Sequence, residues 1–129
     1  MKNRKNLKHN ILIVDDDRDM CSSLADVMSL VNDYNVTTCT SPKKAIEIVR
    51  KTDLSLVLID YKMPDMNGIE TVKEIRKIKP DLPIIMLTAF LSAELVEEAR
   101  REGVLTVLSK FIWPDELLRQ IGAVFGKTI

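Results

Sequence analysis

"ILIVDDDRD", from Ile11 to Asp19, contains four apolar residues followed directly by a run of acidic residues. The apolar part has the length and composition of a buried strand, so the acidic part lies at the end of that strand. Two carboxylates about 5 Å apart repel each other by roughly 3 kcal/mol at an effective dielectric constant near 20. Asp15, Asp16 and Asp17 therefore need positive charge close by.

Apolar runs of strand length alternate with helical patterns five times along the chain. The first, third and fourth runs are continuously apolar, a pattern typical of parallel strands covered by helices on both faces. Five strand–helix units with right-handed crossovers predict a doubly wound α/β sheet. The predicted strands are Ile11–Val14, Asn35–Cys39, Leu54–Ile59, Pro83–Leu87 and Val104–Leu108.

Polar residues mark the starts of three predicted helices. Ser41 precedes Pro42, and Ser92 precedes an apolar periodic segment, so each serine is placed to cap a helix N-terminus. Asp17 and Asp19 are placed to cap and charge the first turn of the first helix, which the helix dipole favours. The fourth helix is predicted to bury one apolar face, made of Leu95, Val96 and Ala99.

The composition indicates one globular domain, because the 129 residues are 46% hydrophobic and 29% charged. Nineteen basic and nineteen acidic side chains cancel, so nothing indicates direct nucleic-acid or membrane binding by this domain. We expect residues 1–9 to be a flexible basic leader and residues 10–129 to be the folded domain. Cys21 and Cys39 occur without a CxxC motif, which favours buried free thiols in a reducing cytoplasm.

Reactive side chains follow four of the predicted strands. Asp15 and Asp16 follow the first strand, Asp60 the third, Thr88 the fourth and Lys110 the fifth. Because ligands of open α/β sheets bind outside the carboxyl ends of the strands, we expect these groups to converge. Three carboxylates without a nearby histidine or thiol form a hard oxygen site of the kind that Mg²⁺ prefers. The sequence therefore predicts that Mg²⁺ and Lys110 neutralise the acidic cluster and that the site receives a phosphoryl group.

Four stretches carry a family resemblance: ILIVDDD (11–17), LVLIDYKMPDMNG (56–68), PIIMLTA (83–89) and VLSK (107–110). In their order and spacing they resemble the receiver domain of two-component response regulators, from about Asn10 to Phe125. The resemblance implies a (βα)5 fold whose five parallel strands have the flavodoxin-like order 2-1-3-4-5. It also implies a signalling domain that catalyses only its own phosphoryl acceptance and dephosphorylation.

The resemblance assigns a role to each acidic residue. Asp60 would accept the phosphoryl group from a phosphohistidine on a partner histidine kinase or phosphotransfer protein. Asp16 would bind Mg²⁺ directly and Asp15 largely through water. The Asp60 carboxylate and the backbone carbonyl of Lys62 would be further ligands.

The resemblance also implies how the signal spreads. Lys110 would pair with the phosphoryl oxygens, and Thr88 would hydrogen-bond them and pull the loop before the fourth helix. Met63-Pro64 and Gly68 would shape the turn, with Gly68 supplying backbone freedom. The added charge would bias a two-state equilibrium. A downstream output domain or protein would read it at the face of the fourth helix, fifth strand and fifth helix, which also offers a homodimer contact.

The chain departs from the family pattern at Phe111 and Val107. Phe111 follows Lys110 where the family has proline, often after a cis peptide bond. A cis bond before a non-proline residue costs ~2.5–4 kcal/mol. We therefore expect a trans bond between Lys110 and Phe111 and a shifted loop that places Lys110 differently. Val107 replaces the family's switch aromatic, so no ring on the fifth strand takes part in coupling. We expect neighbouring residues to cover Trp113 at least in part.

Lys62 and Phe90 lie two residues after Asp60 and Thr88 respectively. Lys62 can lie over the phosphoryl group, and Phe90 hinders the entry of an attacking water. We therefore predict slow self-hydrolysis of the phosphorylated form.

Other classes of site fit the sequence less well. An EF-hand loop starting at Asp15 would need glycine where Met20 stands and a bidentate glutamate where Asp26 stands. A haloacid-dehalogenase-type phosphatase would use Asp15 as its nucleophile. The alternative that stays open is a receiver-like protein-interaction module working without phosphorylation, which Phe111 and Val107 favour.

Overall fold

The computed structural model describes residues 8–126 of the chain. Residues 1–7, which make up most of the predicted leader, and residues 127–129 lie outside the described part. The first strand begins at His9, two residues before the predicted start.

Residues 8–126 form five strands that alternate with five helices, as predicted. The elements are β1 (His9–Val14), α1 (Arg18–Met28), β2 (Tyr34–Cys39), α2 (Pro42–Lys51), β3 (Leu56–Asp60), α3 (Gly68–Ile78), β4 (Ile84–Thr88), α4 (Ala93–Arg101), β5 (Thr106–Ser109) and α5 (Pro114–Val124). Every strand pair is parallel, and the order β2-β1-β3-β4-β5 confirms the predicted doubly wound sheet. Within the described ranges, no helix has the length and apolar character needed to cross a membrane.

Helices cover both faces of the sheet. Successive strand residues point to opposite sides, so each central strand contributes side chains to both covered faces. In β1, Leu12 and Val14 belong to a core cluster with α2, α3 and α4. Ile11 and Ile13 belong to a second cluster with α1 and α5. This double covering explains why the central strands are continuously apolar.

The helix N-termini are capped where the sequence predicts it. The side chains of Asp17, Ser41 and Ser92 accept hydrogen bonds from backbone N–H groups in the first turns of α1, α2 and α4. Asn67 and Glu70 form a reciprocal capping box at the start of α3, which was not predicted from the sequence.

The predicted apolar face of α4 is narrower in the structure. Leu95 and Ala99 are buried, but Val96 is exposed. Residues four apart share one face of a helix, whereas Val96 lies one step around from that face. Cys21 and Cys39 are buried and free, as predicted.

Candidate functional site

The structure brings four of the predicted site residues together at one edge of the sheet. Asp15 directly follows β1, Asp60 and Thr88 are the last residues of β3 and β4, and Lys110 directly follows β5. Parallel pairing aligns the ends of these strands. Asp15, Asp60 and Thr88 are buried, so their positions are set by the packed sheet rather than by mobile loops.

Lys110 is the cation at the centre of this arrangement. Its Nζ lies 2.9 Å from Oδ2 of Asp15 and 3.0 Å from Oδ2 of Asp60. Residues 8–126 contain no cis peptide bond, so the bond to Phe111 is trans as expected. The backbone N–H of Lys110 donates to the Thr88 carbonyl at 2.8 Å and continues the pairing of β4 with β5. The expected shift of this loop relative to other members of the family stays a prediction.

The raised pKa of Asp60 results mainly from its burial. Burial raises the pKa of Asp60 from 3.8 to about 6, and the charge of Asp15 adds to this effect. Hydrogen bonds from Lys110 and from the backbone N–H of Lys62 oppose it. Burial lowers the pKa of Lys110, but its hydrogen bonds to the two carboxylates outweigh burial, so its pKa is raised overall.

Three carboxylates can hold a divalent cation here. Asp15, Asp16 and Asp60 each offer an oxygen, and these oxygens all lie within 4.8 Å of one another. Asp15 has partners already, since its Oδ1 accepts a hydrogen bond from the Asp17 N–H at 2.9 Å and its Oδ2 contacts Lys110. Asp16 is exposed. Lys110 contacts Asp15 and Asp60, and the set of three carboxylates fits Mg²⁺.

The turn after β3 depends on Gly68, but for a different reason from the predicted one. A β-carbon at Gly68 would lie 2.5 Å from the Asp60 carbonyl oxygen and 2.9 Å from Cα of Tyr61. The Gly68 N–H donates to the Tyr61 carbonyl at 2.6 Å. Gly68 therefore permits close backbone packing, while the left-handed backbone of this turn falls on Asp65, with φ 70°.

A cleft of about 710 Å³ is lined by Asp60, Thr88 and Lys110. Beside them, its lining includes Lys62 and Phe90. It also includes Glu94 and Glu98 of α4, which were not predicted from the sequence. Their spacing of four residues was visible as a helical face, but the sequence does not tell which face of α4 borders the cleft.

The loop after β5 corrects one expectation. Trp113 is 78% exposed, so the predicted cover is absent. Ile112 instead packs against the α1–α5 side of the core. Because Ile112 takes the inward position, Trp113 and Phe111 on either side of it point outward.

Residues 11–122 match the family described as "Response regulator receiver domain". The chain belongs to this family. This receiver domain is 40% identical over 108 residues to transcriptional regulatory protein ZraR of Escherichia coli (strain K12), a match that covers 84% of the chain and 24% of ZraR. It is 39% identical over 99 residues to response regulator receiver protein Anae109_2439 of Anaeromyxobacter sp. (strain Fw109-5), covering 77% of the chain and 41% of that protein. The matched segments thus cover less than half of the length of these relatives.

Solved structures agree with the family assignment. The receiver domain protein (CheY-like) from Methanospirillum hungatei JF-1 has a TM-score of 0.84 and 28% identity, covering 90% of this chain and 92% of that one. A chain of the CheX-CheY-BeF3-Mg+2 complex from Borrelia burgdorferi has a TM-score of 0.89 and 23% identity, covering 98% and 96%; this second likeness concerns the fold alone. The receiver domain is therefore a two-component signalling domain rather than a metabolic enzyme.

Proposed function

We propose that Asp60 accepts a phosphoryl group, in a Mg²⁺-dependent reaction, from a phosphohistidine on a partner histidine kinase or phosphotransfer protein. The observation that carries this proposal is the position of Lys110 Nζ between Asp15 and Asp60, 2.9 and 3.0 Å from their oxygens. A phosphoryl group on Asp60 would meet this ammonium group without rearrangement of the strands.

The proposed metal ligands are carboxylates of Asp16 and Asp60, Asp15 through water, and the backbone carbonyl of Lys62. Asp15 suits the indirect role because both of its oxygens already have partners, whereas Asp16 is exposed at the cleft. When bound, Mg²⁺ would supply charge stabilisation to the transferring group.

In the proposed transfer, a carboxylate oxygen of Asp60 attacks phosphorus while the phosphorus–nitrogen bond to the donor histidine breaks. Lys110 holds the negative oxygens of the phosphoryl group, and the Thr88 hydroxyl donates to one of them. The donor histidine retains the electron pair of the broken bond. Hydrolysis of the acyl phosphate later restores Asp60, and this chain performs no other chemistry.

The output of this domain is a change in partner binding. Val96 of α4 and Leu105, directly before β5, are exposed apolar residues in the elements that form the expected α4–β5–α5 face. Such residues favour this face as the contact for an output domain, an output protein or a second copy. The free buried thiols of Cys21 and Cys39 are consistent with work in the cytoplasm.

Incubation with acetyl phosphate and Mg²⁺, followed by intact-mass measurement, tests the proposal. We expect one phosphoryl group on the wild type, none on Asp60→Asn and none after chelation of Mg²⁺. Asp65→Asn is the matched control, because Asp65 lies exposed in the same loop, and it should be phosphorylated normally. A wild type that stays unmodified would instead support the interaction module that works without phosphorylation.

A further inference from the structure

Two acidic residues of α4, Glu94 and Glu98, line the cleft with Asp60 but take no part in the proposed phosphoryl transfer. They lie four residues apart, so they share one face of the helix. Leu95 and Ala99 are buried in the core cluster that lies under α4. The packing of α4 therefore sets the position of the two glutamates at the cleft.

The charges of these glutamates are not compensated by a cation on their own helix. Arg100 and Arg101 both pair with Glu97, which does not line the cleft. Within the described part of the chain, Glu94 and Glu98 make no ion pair, and both are exposed. Their carboxylates are therefore free to act on a charged molecule that enters the cleft.

The cleft as a whole is lined by an excess of negative charge. Five of its lining residues are acidic and two, Lys62 and Lys110, are basic. Lys110 is already held between Asp15 and Asp60 at the strand ends. The two glutamates thus add negative charge on the α4 side of an opening that is already acidic.

Small phosphoryl donors bring different charges to this opening. Acetyl phosphate is mainly a dianion at neutral pH, whereas phosphoramidate is mainly a monoanion because its nitrogen is protonated. In either reaction a carboxylate oxygen of Asp60 forms a bond to phosphorus, and the leaving group keeps the electron pair of the broken bond. Acetate leaves in the first reaction and ammonia in the second. Like-charge repulsion grows with the charge of the donor, so the glutamates slow the entry of acetyl phosphate more.

We propose that Glu94 and Glu98 determine donor specificity: they favour donors with a phosphorus–nitrogen bond over small acyl phosphates. A phosphohistidine belongs to the favoured class, because its leaving group is a ring nitrogen that accepts a proton. This inference rests on the proposed function, since it concerns transfer to Asp60, and it names the class of donor that the site prefers.

The initial rates of phosphorylation by acetyl phosphate and by phosphoramidate test this inference. Both are measured by intact mass at saturating Mg²⁺ and low ionic strength. The readout is the ratio of the acetyl phosphate rate to the phosphoramidate rate, because a change in folding, in Mg²⁺ binding or in the reactivity of Asp60 affects both rates alike. In the double variant Glu94→Gln and Glu98→Gln, we expect this ratio to rise about threefold. High salt should remove most of the difference between the double variant and the wild type.

Glu97→Gln is the matched control for Glu98→Gln, because it removes the same charge from the same helix at a position that does not line the cleft. Glu98→Gln should raise the ratio, and Glu97→Gln should keep the wild-type value. If both donors label the wild type but the double variant keeps the wild-type ratio, or if Glu97→Gln raises the ratio equally, this inference is overturned and the proposed function stands. If neither donor labels the wild type, the proposed function fails and this inference fails with it.

Discussion

A β-carbon on Gly68 would lie 2.5 Å from the backbone carbonyl oxygen of Asp60. The first residue of α3 is therefore packed directly against the residue proposed to carry the phosphoryl group. The atoms that this β-carbon would meet, the Asp60 carbonyl oxygen and Cα of Tyr61, both belong to the backbone. They cannot move aside as the end of a flexible side chain can. The start of α3 and the position of Asp60 are thus mechanically coupled.

Replacing Gly68 with alanine should destabilise the domain by about 1–3 kcal/mol, the usual result of overpacking a tight site. Urea unfolding measures this change, and acetyl phosphate labelling should slow in the same variant. Asp65→Gly is the control, because Asp65 has φ 70° and glycine adopts that backbone without strain. That control should be at least as stable as the wild type. A Gly68→Ala variant of unchanged stability would refute the close packing.

Asp60→Asn should stabilise the metal-free domain at neutral pH. The pKa of Asp60 is raised from 3.8 to about 6 by burial, so the folded state keeps a proton that the unfolded state has lost across that window. Stability therefore falls as pH rises from about 4 to about 6, and the full cost is present above it. At about 1.4 kcal/mol per pKa unit, removing the carboxylate should add about 1–3 kcal/mol above that window.

Urea unfolding of wild type and Asp60→Asn across this pH range, in chelator, measures the difference. The two proteins should converge below about pH 4, where Asp60 is neutral in both states. Asp65→Asn should follow the wild type at every pH. If Asp60→Asn raises the free energy of unfolding as much at low pH as at neutral pH, another property of the amide causes the stabilisation.

The sequence predicted the positions of Asp15, Asp60, Thr88 and Lys110 because strand ends in a parallel sheet share one edge. Continuous apolar runs were enough to identify those strands. The exposure of Trp113 was not predictable in the same way. The apolar character of a large ring favours burial, and only the backbone path of the loop after β5 shows that Ile112 takes the inner position. Glu94 and Glu98 were missed for a related reason, since their place at the cleft depends on how α4 packs.

Arg76 should be a main source of stability at the other end of α3 and α4. Its guanidinium donates to four backbone carbonyls, those of Lys79, Leu82, Glu102 and Gly103, at 2.6–3.3 Å. Arg76→Met keeps the apolar stem but leaves these acceptors unpaired, so we expect a loss of about 2–3 kcal/mol in urea unfolding.

Lys77→Met is the control for Arg76, because Lys77 makes one exposed ion pair with Glu74. Such pairs contribute about 0.5 kcal/mol or less. Equal losses from the two substitutions would mean that the carbonyl contacts of Arg76 contribute nothing beyond an ordinary surface charge.

The phosphorylated form should decay slowly, over minutes or longer. Phe90 and Lys62 both line the cleft through which an attacking water must pass. Phe90→Ala should therefore shorten the lifetime several-fold, whereas Phe111→Ala should not, because Phe111 is equally exposed but is not among the lining residues. Intact mass followed over time after removal of acetyl phosphate measures the decay. Loss of the wild-type phosphoryl group within seconds would contradict the prediction.

The charge balance at the carboxyl edge of the sheet is tested most directly by the melting temperature during a Mg²⁺ titration at constant ionic strength. We predict a saturable rise for the wild type and a much weaker or absent rise for Asp16→Asn, because in the proposed site Asp15, Asp16 and Asp60 share the ion. Asp19→Asn, an exposed neighbour in α1, should behave as the wild type. A wild-type melting temperature that does not respond to Mg²⁺ would contradict the account.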